Sequence, residues 1–141
     1  MKELSRTGQQ ALKSQPFSAV IGARLTSLSE GKAVLEVPIR EEVLQQNGYV
    51  HGGVMSYIAD NALTFAGGSV LGPAVLTQEY KINYLRLASG ETLVARGSVV
   101  NAGRRQAVCR WEFFATGAGR KETFCAAAQG SIVSVSAPRE A

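Results

Sequence analysis

His51-Gly52-Gly53-Val54-Met55-Ser56-Tyr57-Ile58-Ala59-Asp60-Asn61-Ala62-Leu63-Thr64-Phe65-Ala66-Gly67-Gly68-Ser69-Val70 is the stretch on which the fold turns. Its apolar residues, from Val54 and Met55 through Tyr57, Ile58, Ala59, Ala62 and Leu63 to Phe65 and Ala66, are too many for one face of a surface helix. A helix that is apolar nearly all round is a buried one. A buried helix is therefore expected from Gly52 to Val70, ended by Gly67-Gly68 and then by Gly72-Pro73.

The flanks read differently. Residues 1–16 are polar with scattered Leu4, Ala11 and Leu12, a helix or an arm that stops before Pro16. Two strands fall between Phe17 and Ile39: Leu25-Thr26-Ser27-Leu28 runs to a turn at Ser29-Glu30-Gly31, and Ala33, Leu35 and Val37 then alternate with Lys32 and Glu36. Beyond the helix, Tyr80, Ile82 and Tyr84 alternate with Glu79, Lys81 and Asn83. Ala88-Ser89-Gly90-Glu91 turns the chain into a strand from Leu93 to Val100, and Asn101-Ala102-Gly103-Arg104 makes a hairpin turn. Ala107, Cys109, Trp111, Phe113 and Ala115 alternate with Arg110 and Glu112. Gly117-Ala118-Gly119 turns again into a last strand, Phe124 to Val135, with Ser136 to Ala141 as a frayed tail. One buried helix and about six strands on short turns predict an α+β architecture, an antiparallel sheet wrapping the helix. No repeat or linker divides residues 1–141, so a single domain is expected.

A chain of 141 residues with 45% apolar and 18% charged residues has the composition of an ordinary globular domain. No apolar run is long enough to span a membrane, and no apolar segment follows the early cation Lys2 as a secretory signal would require. Cys109 and Cys125 lie in apolar contexts with no CxxC and no neighbouring His, so no metal and no cofactor are expected, and the simplest setting is the reducing cytoplasm. The net charge of +4 includes late cations such as Arg96, Arg110, Arg120 and Lys121, which read either as solvated surface or as a patch for a phosphate-bearing ligand. With no long cationic run and no aromatic interleaving, nucleic acid is not an expected partner.

Two residues stand out chemically. His51, the chain's one histidine, stands at the helix start before two glycines. Gly52 and Gly53 would let a ligand or another backbone approach the unpaired N–H groups of the first turn, where the helix dipole favours a developing oxyanion. His51 could equally cap the helix, with the glycines only making a tight entry. Asp60 is the second anomaly: a poor helix-interior residue among Ile58, Ala59, Ala62 and Leu63, needing partners or a raised pKa if it is buried. Ser56, Asp60 and Thr64 make a polar stripe that faces chemistry, solvent or a subunit neighbour.

Eight residues separate Gly52 from Asp60, about 12 Å along a helix. One helix cannot bring both to a single carbonyl group. Two antiparallel copies could, with Asp60 of one chain beside Gly52 of its twofold mate, and the arrangement would occur twice.

His51-Gly52-Gly53 followed by an acid at position 60 resembles the signature of hotdog-fold acyl-CoA thioesterases of the phenylacetic-acid-degradation type, the PaaI-like family. The resemblance spans roughly residues 17 to 135, including the Gly-rich helix end and the strand Leu76 to Tyr84. It implies a long helix inside a curled antiparallel sheet, and a homodimer that pairs into a homotetramer. It also implies hydrolysis of an acyl-CoA to the free acid and CoA. Asp60 would act as nucleophile or general base, the Gly52 N–H would polarise the thioester carbonyl, and His51 would orient the thioester. Gln45 would touch the thioester or the water, and Thr77 would position the water. Where many members carry Asn, this chain has Gln45, and Asn47 competes for that role; the strand hydroxyl, often serine, is the bulkier Thr77. The CoA arm would lie between subunits with Arg86, Arg104 and Arg105 toward its phosphates. Leu44, Met55, Ala59 and Phe65 would line an acyl tunnel or simply pack the core. Two other activities share such a pocket: a hotdog dehydratase on acyl-carrier-protein thioesters, and a non-catalytic acyl-CoA sensor.

Overall fold

The computed structural model describes residues 2–135, so the tail expected at 136–141 lies outside the described residues. Helix α1 (Lys2–Lys13) and a short helix α2 (Pro16–Ile21) precede strands β1 (Arg24–Ser29) and β2 (Lys32–Pro38). A 3₁₀ turn at Glu41–Val43 leads to the long helix α3 (Gly52–Leu71), and another at Ala118–Arg120 lies between the last two strands. Strands β3 (Val75–Tyr84), β4 (Thr92–Ala102), β5 (Gln106–Thr116) and β6 (Glu122–Ser134) complete the chain. All six strands form one antiparallel sheet in the order β1-β2-β4-β5-β6-β3, and α3 touches every one of them. This is the expected α+β arrangement of a long helix held by a curled sheet.

The core explains the sheet's curl. On β5, Ala107, Cys109, Trp111, Phe113 and Ala115 all point inward and are buried, as the period-two alternation requires. They meet Ile58, Ala59, Ala62, Leu63 and Ala66 of α3, which are fully buried. Gly97 on β4 lies under the Trp111 ring, where a Cβ would sit only 3.0 Å from it. Burying side chains of this size contributes about 1.5–3 kcal/mol each.

Three local features depart from the sequence expectations. Pro16 does not only stop α1; it occupies the first turn of α2, where its missing N–H costs nothing and its fixed φ suits a helix. Gly67 and Gly68 do not end α3, which runs on to Leu71 and is capped by Gly72 at φ +104, a conformation that favours glycine. Gly67 instead lets the helix approach β6 closely, since a Cβ there would meet Ile132 at 2.9 Å. Finally, α3 is not covered all round. Asp60 is exposed and Ser56 and Thr64 are half-buried, so the polar stripe lies along an open side of the helix beside β3.

β3 is an edge strand with a bulge between Thr77 and Glu79. The extra residue shifts the alternation, so Thr77 and Tyr80, three apart, both turn toward α3. Gly130 on β6 holds this geometry: a Cβ there would come within 2.5 Å of the Tyr80 Cβ, with the β3 backbone equally close. Gly130→Ala must push β3 outward, and overpacking of this kind costs about 1–3 kcal/mol. A lowered urea midpoint is expected. A midpoint equal to wild type would show that β3 yields without cost.

Candidate active site

The loop before α3 is pinned at both ends. His51 N–H donates to Val43 O at 2.9 Å, Val50 N–H donates to Ala88 O at 2.9 Å, and Gln45 N–H donates to Tyr49 O at 2.7 Å. Gly48 turns the loop at φ +86. The Gln45 side-chain oxygen accepts from the Asn47 N–H, so the Gln45 amide is folded back over its own turn and Asn47 stands exposed.

His51 takes the N-cap position of α3 in an extended conformation (φ −61°, ψ 134°). Its Nδ1 accepts from the Gly53 N–H at 2.8 Å, and Val54 N–H donates to the His51 carbonyl at 2.9 Å. The histidine is therefore a helix cap. With Nδ1 accepting, the neutral ring carries its proton on Nε2 and keeps a donor for another group. Gly53 must be glycine for this packing, because a Cβ would lie 2.9 Å from His51 Nδ1. The Gly52 N–H takes no partner among the described residues. It stands at the positive end of a twenty-residue helix, the place where an oxyanion gains most. The Tyr84 ring lies beside Gly52, its hydroxyl donating to Gly52 O at 3.1 Å.

Two clefts divide the candidate residues. The first, about 630 Å³, lies along the open side of α3 and is lined by Asp60, Gly53, Thr77, Glu79, Ser56 and Tyr80, with Phe17 and Tyr57 at one wall. Thr77 Oγ1 and Thr64 Oγ1 are hydrogen-bonded at 3.0 Å, and Thr64 also donates to the Asp60 carbonyl at 2.7 Å. Ser56 and the Tyr80 hydroxyl are hydrogen-bonded beside them. Tyr57 lies near enough to Asp60 to feel its charge, but burial is the main force that pushes its phenol above the usual range, so it stays protonated at neutral pH. The second cleft, about 420 Å³, lies at the helix start and is lined by Gly52, Gln45, Met55, Tyr84 and Arg86. The Arg86 guanidinium donates to Phe124 O at 3.2 Å and is otherwise open.

Within one chain, then, Asp60 and Thr77 share a cleft, Gly52, Gln45 and Arg86 share another, and the two sets do not meet. Arg104 and Arg105 line neither: they sit exposed on the β4–β5 turn, where Arg105 O accepts from Ser134 N–H. That turn lies across β6 from the start of β3, toward the end of α3 opposite Gly52. Ala59 is wholly buried in the core, and Leu44 and Phe65 pack against that core without lining either cleft. Nothing in the sequence marks Tyr80, Tyr84 or Phe17 as a site residue. Tyr57 stands three residues before Asp60 on one helix face, a signal that was legible. The bulge that aims Tyr80 inward was not.

The cysteines take no part in either cleft. Both are buried in strands, and burial pushes the Cys109 thiol up to about 11 and raises Cys125 as well. Such thiols are poor nucleophiles at neutral pH. A Cys109→Ser, Cys125→Ser double variant that folds is expected to keep its turnover within about threefold of wild type. Loss of activity in the folded variant would contradict this.

Residues 47–121 match the thioesterase superfamily. The chain is 31% identical to a 1,4-dihydroxy-2-naphthoyl-CoA hydrolase of Listeria monocytogenes, over 65% of this chain and 75% of that protein. It is 30% identical to the acyl-coenzyme A thioesterase PaaI of Escherichia coli, over 62% of this chain and 63% of that one. The crystal structure of a thioesterase family protein from Silicibacter pomeroyi superposes with a TM-score of 0.87 at 29% identity, covering 94% of this chain and 98% of the other.

Proposed function

We propose that this chain, which belongs to the thioesterase superfamily, hydrolyses acyl-CoA thioesters to the free acid and CoA in sites shared between two copies. One observation carries the reading: Asp60 and the unpaired Gly52 N–H open into different clefts of the same chain. Chemistry on one carbonyl needs a carboxylate and an oxyanion donor together, so the second half must come from another copy.

Asp60 then serves as nucleophile, or as base to a water held by Thr77. The thioester carbon is attacked, its oxygen gains negative charge toward the Gly52 N–H of the partner subunit, and the C–S bond breaks. CoA leaves as the thiolate and takes up a proton. With Asp60 as base, the attacking water supplies the new oxygen of the acid directly; with Asp60 as nucleophile, water then cleaves the Asp60–acyl anhydride, releasing the acid and restoring the carboxylate. The Nε2–H left by the cap geometry of His51 supports its role in orienting the thioester. Arg86, in the Gly52 cleft, suits a phosphate of the CoA arm. Pairing is supported by β3: among the described residues its outer edge has no strand beside it, Leu76 and Tyr84 are exposed on it, and Leu85 and Leu87 follow it exposed as well. An apolar open edge asks for a strand beside it. The names of the Listeria and Escherichia relatives, both CoA thioester hydrolases, support CoA as the thiol.

Thiol release from a panel of acyl-CoAs by the purified chain tests this. Steady turnover of at least one member is expected. Binding without release across the panel would point to a non-catalytic acyl-CoA protein.

A further inference from the structure

Phe17 is a large apolar side chain left 58% exposed on α2, and Val20, one turn on, is 65% exposed. Phe17 is not loosely placed. Its ring packs edge to face against Tyr57, with centroids 5.2 Å apart at 89°. The Tyr57 hydroxyl donates to Ser18 Oγ, which donates to Gln15 Oε1 at 2.7 Å, and Ser18 is buried. The α1–α2 connection is thus tied to α3, and the aromatic pair stands one helical turn before Asp60, at the wall of the same cleft.

The charges of that cleft say what can lie against the wall. Among the described residues its lining holds the carboxylates of Asp60 and Glu79 and no Lys or Arg, whereas the neighbouring cleft holds Arg86. CoA phosphates are repelled from the first and suited to the second. An apolar ring held in place before binding favours an apolar group, with little ordering cost on association. The cleft is broad and open in a single chain, so its wall and its charges, and not enclosure, decide what packs there.

On the hydrolase reading above, we propose that Phe17 determines acyl specificity, its ring forming the apolar wall against which the acyl portion of the thioester packs. A two-carbon acyl group is too short to use a wall one turn from Asp60, while a medium chain or an aryl group reaches it.

The test is kcat/KM of the full chain, wild type, Phe17→Ala and Phe17→Leu, on acetyl-, octanoyl- and benzoyl-CoA, with circular-dichroism melts of each. Phe17→Ala is expected to lower the octanoyl-to-acetyl and benzoyl-to-acetyl ratios about tenfold, mostly through KM, with Phe17→Leu between. Should Phe17→Ala fail to fold, Phe17→Leu carries the same comparison with a smaller shift. Ratios within about twofold of wild type, whether overall activity is kept or lost equally on all three substrates, would overturn the role of Phe17 and leave the hydrolase reading standing. Wild-type protein that releases no thiol from any of the three would overturn both.

Discussion

Asp60→Asn should fold as wild type and lose about 10²–10⁴-fold in kcat on any acyl-CoA that the wild type turns over, the range that a positioned acid–base group contributes. Asn is nearly isosteric with Asp and has similar helix propensity, but its amide is neither a nucleophile nor a base. The structure makes the exchange a clean one. Asp60 is exposed, its side chain forms no ion pair or hydrogen bond among the described residues, and its local tie is through its backbone carbonyl to Thr64. Its removal should therefore leave the melting midpoint in place while turnover falls. A variant within a few-fold of wild type would remove Asp60 from the chemistry. A variant that loses turnover and also melts early would place its role in the fold.

The exposure of Asp60 differs from what its neighbours in sequence suggest. Ile58, Ala59, Ala62 and Leu63 are buried, yet each adjacent helical residue is turned by about 100°, so a carboxylate between them can face outward. In a single chain the cost of burying a charge plays no part. The same periodicity makes the fold legible. Too many apolar residues for one face announce α3, and strict alternation announces β5 and the strands beside it. What the sequence hid was what depends on contacts between distant residues. Gly67 reads as a helix end until Ile132 of β6 is seen against it. Pro16 reads as a stop until Gly22, at φ +79, closes the helix that it begins. The bulge at β3 leaves no local signature, and without it the alternation sends Thr77 and Tyr80 to opposite faces. Of the candidate site, the His51-Gly52-Gly53 helix start and Asp60 stand out in the sequence by their chemistry, and only the family resemblance gives them roles. The rise of about 12 Å along the helix keeps Gly52 and Asp60 of one chain from a single carbonyl, but the cleft that each lines depends on the tertiary fold, since Gly53 beside Gly52 lines the cleft of Asp60. The aromatic wall at Phe17 could not be read, because it depends on how α2 folds back onto α3.

Sharing of each site between two chains is the central claim, and complementation tests it most directly. One partner is Asp60→Asn. The other is Gly52→Pro, which removes the N–H proposed to hold the oxyanion. Gly52 is the first helical residue, where proline is well tolerated, and His51 before it is extended at ψ 134°, as a residue preceding proline must be. A Cβ at position 52 meets the Tyr84 ring at 3.4 Å, an ordinary contact. Each variant alone should be nearly inactive. Mixed in equal amounts, unfolded and refolded together, they should form about half mixed dimers, each with one intact site and one doubly damaged site. Activity should return to about a quarter of wild type by that count. A refolded mixture no more active than either variant alone, with mixed dimers present by native mass spectrometry, would show that each site is built within one chain and would contradict the account.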